Sequence, residues 1–156
     1  QRLSRGLGDV YKRQHINRSG PLNVVGTEIK KIKEITNLRP VINKEKNQIL
    51  GSVIYIDNYG NVVTNITEKL FREVSKTRSF TINARNVKFS KIHKNYSDAI
   101  DFNLEKKDRE EDGKKIALFN NLGYLQLSIY RSNPQTVGSA STLFGLNYRD
   151  VVSVYF

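Results

Sequence analysis

The chain has 156 residues, enough for one domain with an apolar core, and a formal net charge of +11. It contains no Cys, which excludes disulfides, thiolate metal sites and cysteine nucleophiles. Its only histidines, His15 and His93, argue against a His-rich metal centre. No run of about 18 apolar residues occurs, so we expect a cytoplasmic protein with no membrane contact. The lack of Met predicts a piece of a longer protein.

The basic residues are spread along the chain. Lys30, Lys31 and Lys33 share one predicted helix, and no pattern of alternating basic and aromatic residues typical of RNA binding appears. This distribution favours a solvated, lysine-rich surface over a dedicated nucleic-acid face. We therefore do not expect nucleic acid as a partner.

The N-terminal third lacks strand signals. Residues 1–14 combine four basic residues with one acid and show no apolar period, so we interpret them as a non-native or disordered tail. Apolar residues then recur every three or four positions, which predicts an amphipathic helix of about three turns: Val25, Ile29, Ile32 and Ile35. We assign residues 15–47 to the end of a preceding domain and a linker.

From residue 48 onward the apolar period is that of β-strands. Residues 53–56 and 62–66 flank a turn at 57–61, and residues 80–89 resemble a hairpin. Thr67 is positioned to cap a short helix.

The second half of this region continues the pattern. Residues 101–115 are densely charged and predict a surface loop, whereas 116–119, 124–130 and 151–155 predict strands. Residues 139–144 predict a short helix closed by Gly145. The fold class is therefore mostly β: a small β-barrel or sandwich over residues 48–156, preceded by one helix.

No catalytic set is evident from residue spacing. The segment GSVIYIDNYGNVVTNI alone concentrates polar side chains around a tight turn: Asp57, Tyr59, Asn61, Thr64 and Asn65. One interpretation is an ordinary hairpin turn in which Asp57 and Asn61 bond to the backbone. Thr64 and Asn65 suit a structural role in fixing the turn.

The same segment resembles the signature that opens the C-terminal domain of the SAM hydroxide adenosyltransferases and the related SAM-dependent fluorinases and chlorinases. Three further segments are similar to that family in the same order: YSDA, LFNNLGYLQLSIYRSN and SASTLFGLNYRDVVSVYF. Together they cover residues 48–156, and residues 15–39 resemble the end of the family's α/β N-terminal domain.

The resemblance implies a SAM hydrolase, in which water attacks C5′ of the ribose and methionine leaves, forming adenosine. SAM is the substrate, and no cofactor is expected. The family's catalytic pocket belongs to the N-terminal domain, so the resemblance implies no catalytic residue in this chain and no activity for it alone. It also implies a homotrimer of the full-length protein, with each site shared between subunits.

The resemblance implies substrate-binding residues as well. Asp57 corresponds to an acceptor for the methionine ammonium, Asn61 to a reader of the adenine edge, and Tyr59 to an aromatic beside the adenine ring. Core packing is the alternative for Tyr59. Tyr96 likewise corresponds to an aromatic residue near adenine, with core packing as its alternative.

Other implied contacts lie later in the chain. Asn121 corresponds to a polar residue at the methionine carboxylate, and the backbone of Ile129, Tyr130 and Arg131 corresponds to a strand end that binds adenine. Leu122 stands where the halogenases carry Arg, which favours the hydrolase branch. Gln126 replaces a frequent Glu, which puts a role for that side chain in doubt.

Two other functions remain open at this stage. The chain could be a non-catalytic module that binds adenosine or SAM. It could also be a basic β-barrel that binds single-stranded nucleic acid through Tyr124 and Tyr130.

Overall fold

The computed structural model describes residues 3–30, 38–109 and 113–156. These residues fall into two units, one within Gln1–Thr36 and one within Asn37–Phe156. In the first unit, helix α1 spans Leu3–Asn17 and a single 3-10 turn spans Leu22–Val24.

The N-terminal helix does not lie where the apolar spacing predicted it. Residues 25–30 are not helical, and residues 31–35 lie outside the described residues. Gly26 lowers helix propensity at the start of the predicted segment by about 1 kcal/mol. Conversely, the Leu, Arg, Lys and Gln residues of α1 are good helix formers, although we expected no fold in residues 1–14. That residues 1–14 are non-native stays a prediction.

The second unit is built from antiparallel strands. Among the described residues these are β1 (Val41–Ile42), β2 (Gln48–Ile56), β3 (Val62–Thr67), β4 (Thr81–Ala84), β5 (Val87–Phe89), β6 (Lys115–Phe119), β7 (Tyr124–Ile129) and β8 (Val151–Tyr155). Helix α2 (Glu68–Ser75) directly follows β3, and helix α3 (Ala140–Phe144) directly precedes β8. Two 3-10 turns, Ser97–Ala99 and Lys106–Asp108, lie between β5 and β6.

The strands form a nearly closed barrel in the order β5-β4-β8-β2-β3-β7-β6, with β1 paired to β2. The segment after β5 approaches the opposite edge: the His93 backbone N–H donates to the Ala117 carbonyl at 2.8 Å, and His93 forms a parallel bridge with Leu118. Wrapping the sheet in this way leaves few unpaired strand edges. The predicted mostly-β fold and small β-barrel are confirmed.

The core lies inside the barrel. Branched aliphatic side chains from β2, β3, β4, β7 and β8 are fully buried there, including Ile49, Val62, Ile82, Leu127 and Val154. Phe71 and Val74 join the core from α2, and Phe144 joins it from α3. Burial of this apolar surface is the main source of stability.

Both short helices of the barrel unit begin where their sequences predicted, and α3 also ends as predicted. Thr67 Oγ1 accepts from the Leu70 N–H at 3.2 Å, and Ser139 caps α3 with a reciprocal pair of bonds to Thr142. Gly145 ends α3 with φ of 64°. Within the residues placed by the structure, no helix has the length and apolar character needed to span a membrane.

Candidate functional site

The β2–β3 turn, residues 57–61, is held by the Asp57 carboxylate. Asp57 Oδ1 accepts from the backbone N–H groups of Tyr59 and Asn61, each at 2.9 Å. Its Oδ2 accepts from the Asn61 side-chain amide, also at 2.9 Å. Backbone bonds close the turn: the Gly60 N–H donates to the Asp57 carbonyl at 2.9 Å, and the Asp57 N–H to the Asn61 carbonyl at 3.1 Å. The carboxylate therefore fixes both the backbone and the Asn61 side chain.

This turn packs against the beginning of α3. Gly60 is buried with φ of 73°, and a Cβ at this position would overlap the Ser139 side chain. The Ser141 N–H donates to the Gly60 carbonyl at 2.9 Å, and the hydroxyls of Ser139 and Ser141 lie 2.9 Å apart. Ser139 and Ser141 were not among the predicted site residues. Both lie in the segment SASTLFGLNYRDVVSVYF, which is similar to the family, but no binding role was predicted for them.

Tyr59 is at the tip of the turn and is 72% exposed. That exposure rules out the core-packing alternative for Tyr59. An exposed ring on a fixed turn leaves a flat apolar face available for stacking.

The end of β7 lies at the same end of the barrel as the turn, since β3 and β7 are antiparallel with Val62 opposite Leu127. Ile129 is buried, and the Tyr130 N–H donates to the Lys114 carbonyl at 2.8 Å. Arg131 has φ of 53°, and its guanidinium lies 5.4 Å from the centre of the Tyr130 ring. The structure therefore brings the predicted strand end and the predicted turn to one end of the barrel.

Tyr96 contacts the middle of β7. Its hydroxyl accepts from Gln126 Nε2 at 2.7 Å and lies 3.0 Å from Ser128 Oγ. Gln126 and Ser128 are buried, although polar residues that alternate with apolar core residues are typical of a solvated strand face. The segment that carries Tyr96 covers the polar face, and the network satisfies its side chains. The Gln126 side chain, which stands where a Glu is frequent, thus serves a structural hydrogen bond to Tyr96.

Asn121 is exposed in the β6–β7 turn, at the opposite end of β7 from Ile129. The five residue steps from Tyr124 to Ile129 correspond to about 17 Å of extended strand. The predicted contacts with the methionine carboxylate and with adenine therefore lie far apart along one strand.

Thr64 and Asn65 bond within the sheet, away from the turn that we expected them to fix. Thr64 Oγ1 donates to the Leu125 carbonyl at 3.0 Å. Asn65 Oδ1 accepts from the Ser52 N–H at 2.8 Å, next to the register shift between β2 and β3, and its amide donates to the Leu38 carbonyl at 2.6 Å. Both side chains have a structural role, but they stabilise the pairing of strands and not the turn.

The chemistry of this end of the barrel is that of polar recognition. It offers a fixed carboxylate, an oriented amide, serine hydroxyls and the exposed ring of Tyr59. Across the ranges that the structure describes, no cluster of three or more His, Cys, Asp or Glu residues could hold a metal ion.

Residues 51–153 match the family model described as the SAM hydroxide adenosyltransferase C-terminal domain. The chain is similar to the crystal structure of an uncharacterized conserved protein from Thermotoga maritima, with a TM-score of 0.58 and 19% identity over 91% of this chain and 48% of that one. A conserved hypothetical protein from Thermus thermophilus gives a TM-score of 0.46 and 14% identity over 90% of this chain and 47% of that one. No curated protein matches.

The Thermotoga maritima similarity supports the fold, and the chain spans about half the length of both solved structures. The family match is stronger evidence of identity because it covers more than half of the chain. The chain belongs to the SAM hydroxide adenosyltransferase family and contains its C-terminal domain.

Proposed function

We propose that this chain is the SAM- and adenosine-binding part of an S-adenosyl-L-methionine hydrolase, which converts SAM and water into adenosine and L-methionine. Family membership supports this proposal. The observation that carries it is the Asn61 amide, held in one orientation by Asp57 at the end of the barrel where β7 also ends. Leu122, in the position where the related halogenases carry Arg, favours water over halide.

The reaction needs positioning more than acid catalysis. Water attacks C5′ and releases one proton as adenosine forms, the C5′–S bond breaks with its electron pair staying on sulfur, and methionine leaves as a neutral thioether that requires no proton. The enzyme must align water, carbon and sulfur and remove bulk water from the nucleophile. We assign those tasks to an N-terminal domain of the longer protein, and binding of the two ends of SAM to this chain.

Asn61 is suited to reading the adenine edge. One of its amide N–H groups is committed to Asp57, which fixes the plane of the amide. The second N–H and the carbonyl oxygen can then pair with a donor and an acceptor on one edge of adenine. Tyr59 and Tyr96 are proposed to lie against the ring, and the backbone of Ile129, Tyr130 and Arg131 to complete the adenine pocket.

Asp57 has two proposed roles. Three of about four acceptor positions on its carboxylate serve the turn, so one on Oδ2 remains for the methionine ammonium. However, the Asp57 and Asn61 side chains touch, whereas adenine and the ammonium are at opposite ends of SAM. This contact favours Asp57 as a positioning residue for Asn61, and the ammonium contact is the alternative. Asn121, in the turn at the opposite end of β7, is proposed to bind the methionine carboxylate.

The nucleic-acid alternative has less support from side-chain exposure. Tyr124 and Tyr130, the two rings it requires, are both partly buried, and Tyr130 packs against the cluster of Ala99, Ile116 and Leu118. A stacking platform for bases needs accessible ring faces.

The test is incubation of the full-length protein with SAM, followed by chromatography of the products. We expect adenosine and methionine in equal amounts from the full-length protein and no adenosine above a blank from the 156-residue chain alone. Binding of SAM without product would identify a non-catalytic module. Adenosine release by the chain alone would contradict the assignment of catalysis to another domain. Sedimentation of the same sample tests the proposed homotrimer.

A further inference from the structure

A second concave surface lies between α2 and the segment that follows β5. It encloses a cavity of about 750 Å³. Its apolar lining comes from Phe71, Phe80, Ile92 and Phe119, and the Phe71 ring packs edge-on against Phe80 and Phe119 at centroid distances of 5.0 and 5.6 Å. None of the proposed SAM-binding residues lines this cavity.

The rim of this cavity is basic. It carries Arg72, Lys76, Lys91 and Lys94, and Glu68 is the one carboxylate among the described residues that line it. Arg72 Nε donates to Glu68 at 2.8 Å, so these two charges neutralise each other. Of the ion pairs within the described ranges, none includes a rim lysine. The three lysines therefore give the rim an excess of positive charge.

Asp98, an acid that contacts the rim segment, already has partners. Asp98 accepts from the Lys94 backbone N–H at 3.2 Å and lies 3.5 Å from His93 Nδ1. That backbone bond, with a smaller contribution from the Lys91 charge, lowers the pKa of Asp98 from its ordinary value. His93 also lines the cavity.

We propose that this cavity binds a small aromatic anion, with its ring on the phenylalanine surface and its carboxylate or phosphate facing Lys76, Lys91 and Lys94. Aromatic side chains favour an aromatic guest by burial and edge-to-face contact. Three lysines on a rim whose described carboxylate, Glu68, is paired with Arg72 favour an anionic substituent on that guest. Apolar walls with few convergent polar groups are typical of small-molecule sites.

The first test is fluorescence titration of the 156-residue chain with 1-anilinonaphthalene-8-sulfonate and with its uncharged analogue N-phenyl-1-naphthylamine. We expect the sulfonate to bind more tightly. The double variant Lys91→Glu/Lys94→Glu should weaken its binding about tenfold or more and leave the uncharged probe nearly unaffected. The variant Lys106→Glu/Lys107→Glu makes the same change in net charge away from the cavity and should have little effect. An equal loss of sulfonate binding in both double variants would overturn the proposal.

Competition then separates the possible ligands. Displacement of the sulfonate by AMP would indicate a phosphate ligand, and displacement by indole-3-acetate would indicate a carboxylate ligand. Displacement by neither would mean that only the probe binds, and would overturn the proposal. Adenosine should not displace the probe, since we place its site elsewhere. Displacement by adenosine would place the probe in the SAM site and contradict a second cavity, whatever the outcome for hydrolysis.

Discussion

Two turns of this barrel share one local structure. In residues 57–61 the Asp57 side chain accepts from the N–H groups two and four residues later, and in residues 120–124 Asn120 does the same, with both bonds at 3.0 Å. Each turn has glycine in its fourth position with φ of 73° or 75°. An Asp or Asn followed three residues later by Gly thus encodes the same turn twice.

The two turns differ in what surrounds them. A Cβ on Gly60 would overlap Ser139, whereas a Cβ on Gly123 would meet nothing within 4 Å. The first turn ends in Asn61, whose amide reaches back to Asp57, and the second ends in Tyr124, which begins β7. Local sequence sets the shape of both turns, while packing against α3 and the Asn61 side chain constrain the first turn further.

The largest expected difference concerns the two glycines. Gly60→Ala should destabilise the chain by about 3 kcal/mol, because left-handed strain and the overlap with Ser139 add. Gly123→Ala should cost only about 1 kcal/mol, from the strain alone. Urea unfolding of both variants measures this. Equal losses would show that the contact with α3 adds no constraint.

The next effect concerns the two capping side chains. Asp57→Ala in the full-length protein should weaken binding of SAM and of adenosine equally, by about 2 kcal/mol, because Asn61 loses the partner that orients it. Asn120→Ala removes equivalent bonds from the other turn and should leave adenosine affinity unchanged. Calorimetry with both ligands provides the values. A loss confined to SAM would instead assign Asp57 to the methionine ammonium.

The smallest effect concerns the second residue of each turn. Asn121→Ala should weaken SAM binding by about 1 kcal/mol and leave adenosine binding intact, because adenosine lacks the methionine carboxylate. Asn58→Ala changes the matching position of the first turn and should alter neither affinity. The same calorimetric titrations check both variants. Weaker adenosine binding in Asn121→Ala would remove the residue from the methionine end.

Much of the barrel was predictable because its strands and caps are local patterns. Thr67, Ser139 and Gly145 act at the helix ends that their sequence positions indicate. In the helix predicted over 25–35, the described residues 25–30 are not helical, because the helix-breaking effect of Gly26 outweighs the apolar spacing there. Periodicity also does not report which segment covers the outer face of a strand, as Tyr96 does for Gln126 and Ser128.

The candidate site was only partly predictable for a similar reason. Its turn is visible as Asp57, Gly60 and Asn61 in five residues, but the contact of Gly60 with Ser139 joins positions far apart in sequence. The distance between Asn121 and the end of β7 likewise depends on strand direction and length. Such tertiary relations require the fold.

The central claim is that Asn61, oriented by Asp57, reads adenine. Its most direct measurement is calorimetric titration of adenosine and SAM into the full-length protein, wild type and Asn61→Ala, with Asn58→Ala as the matched control. The account predicts that both ligands bind to the wild type and that Asn61→Ala weakens both by about 1–3 kcal/mol. Unchanged affinity for both ligands in Asn61→Ala would contradict it and leave the turn a purely structural element.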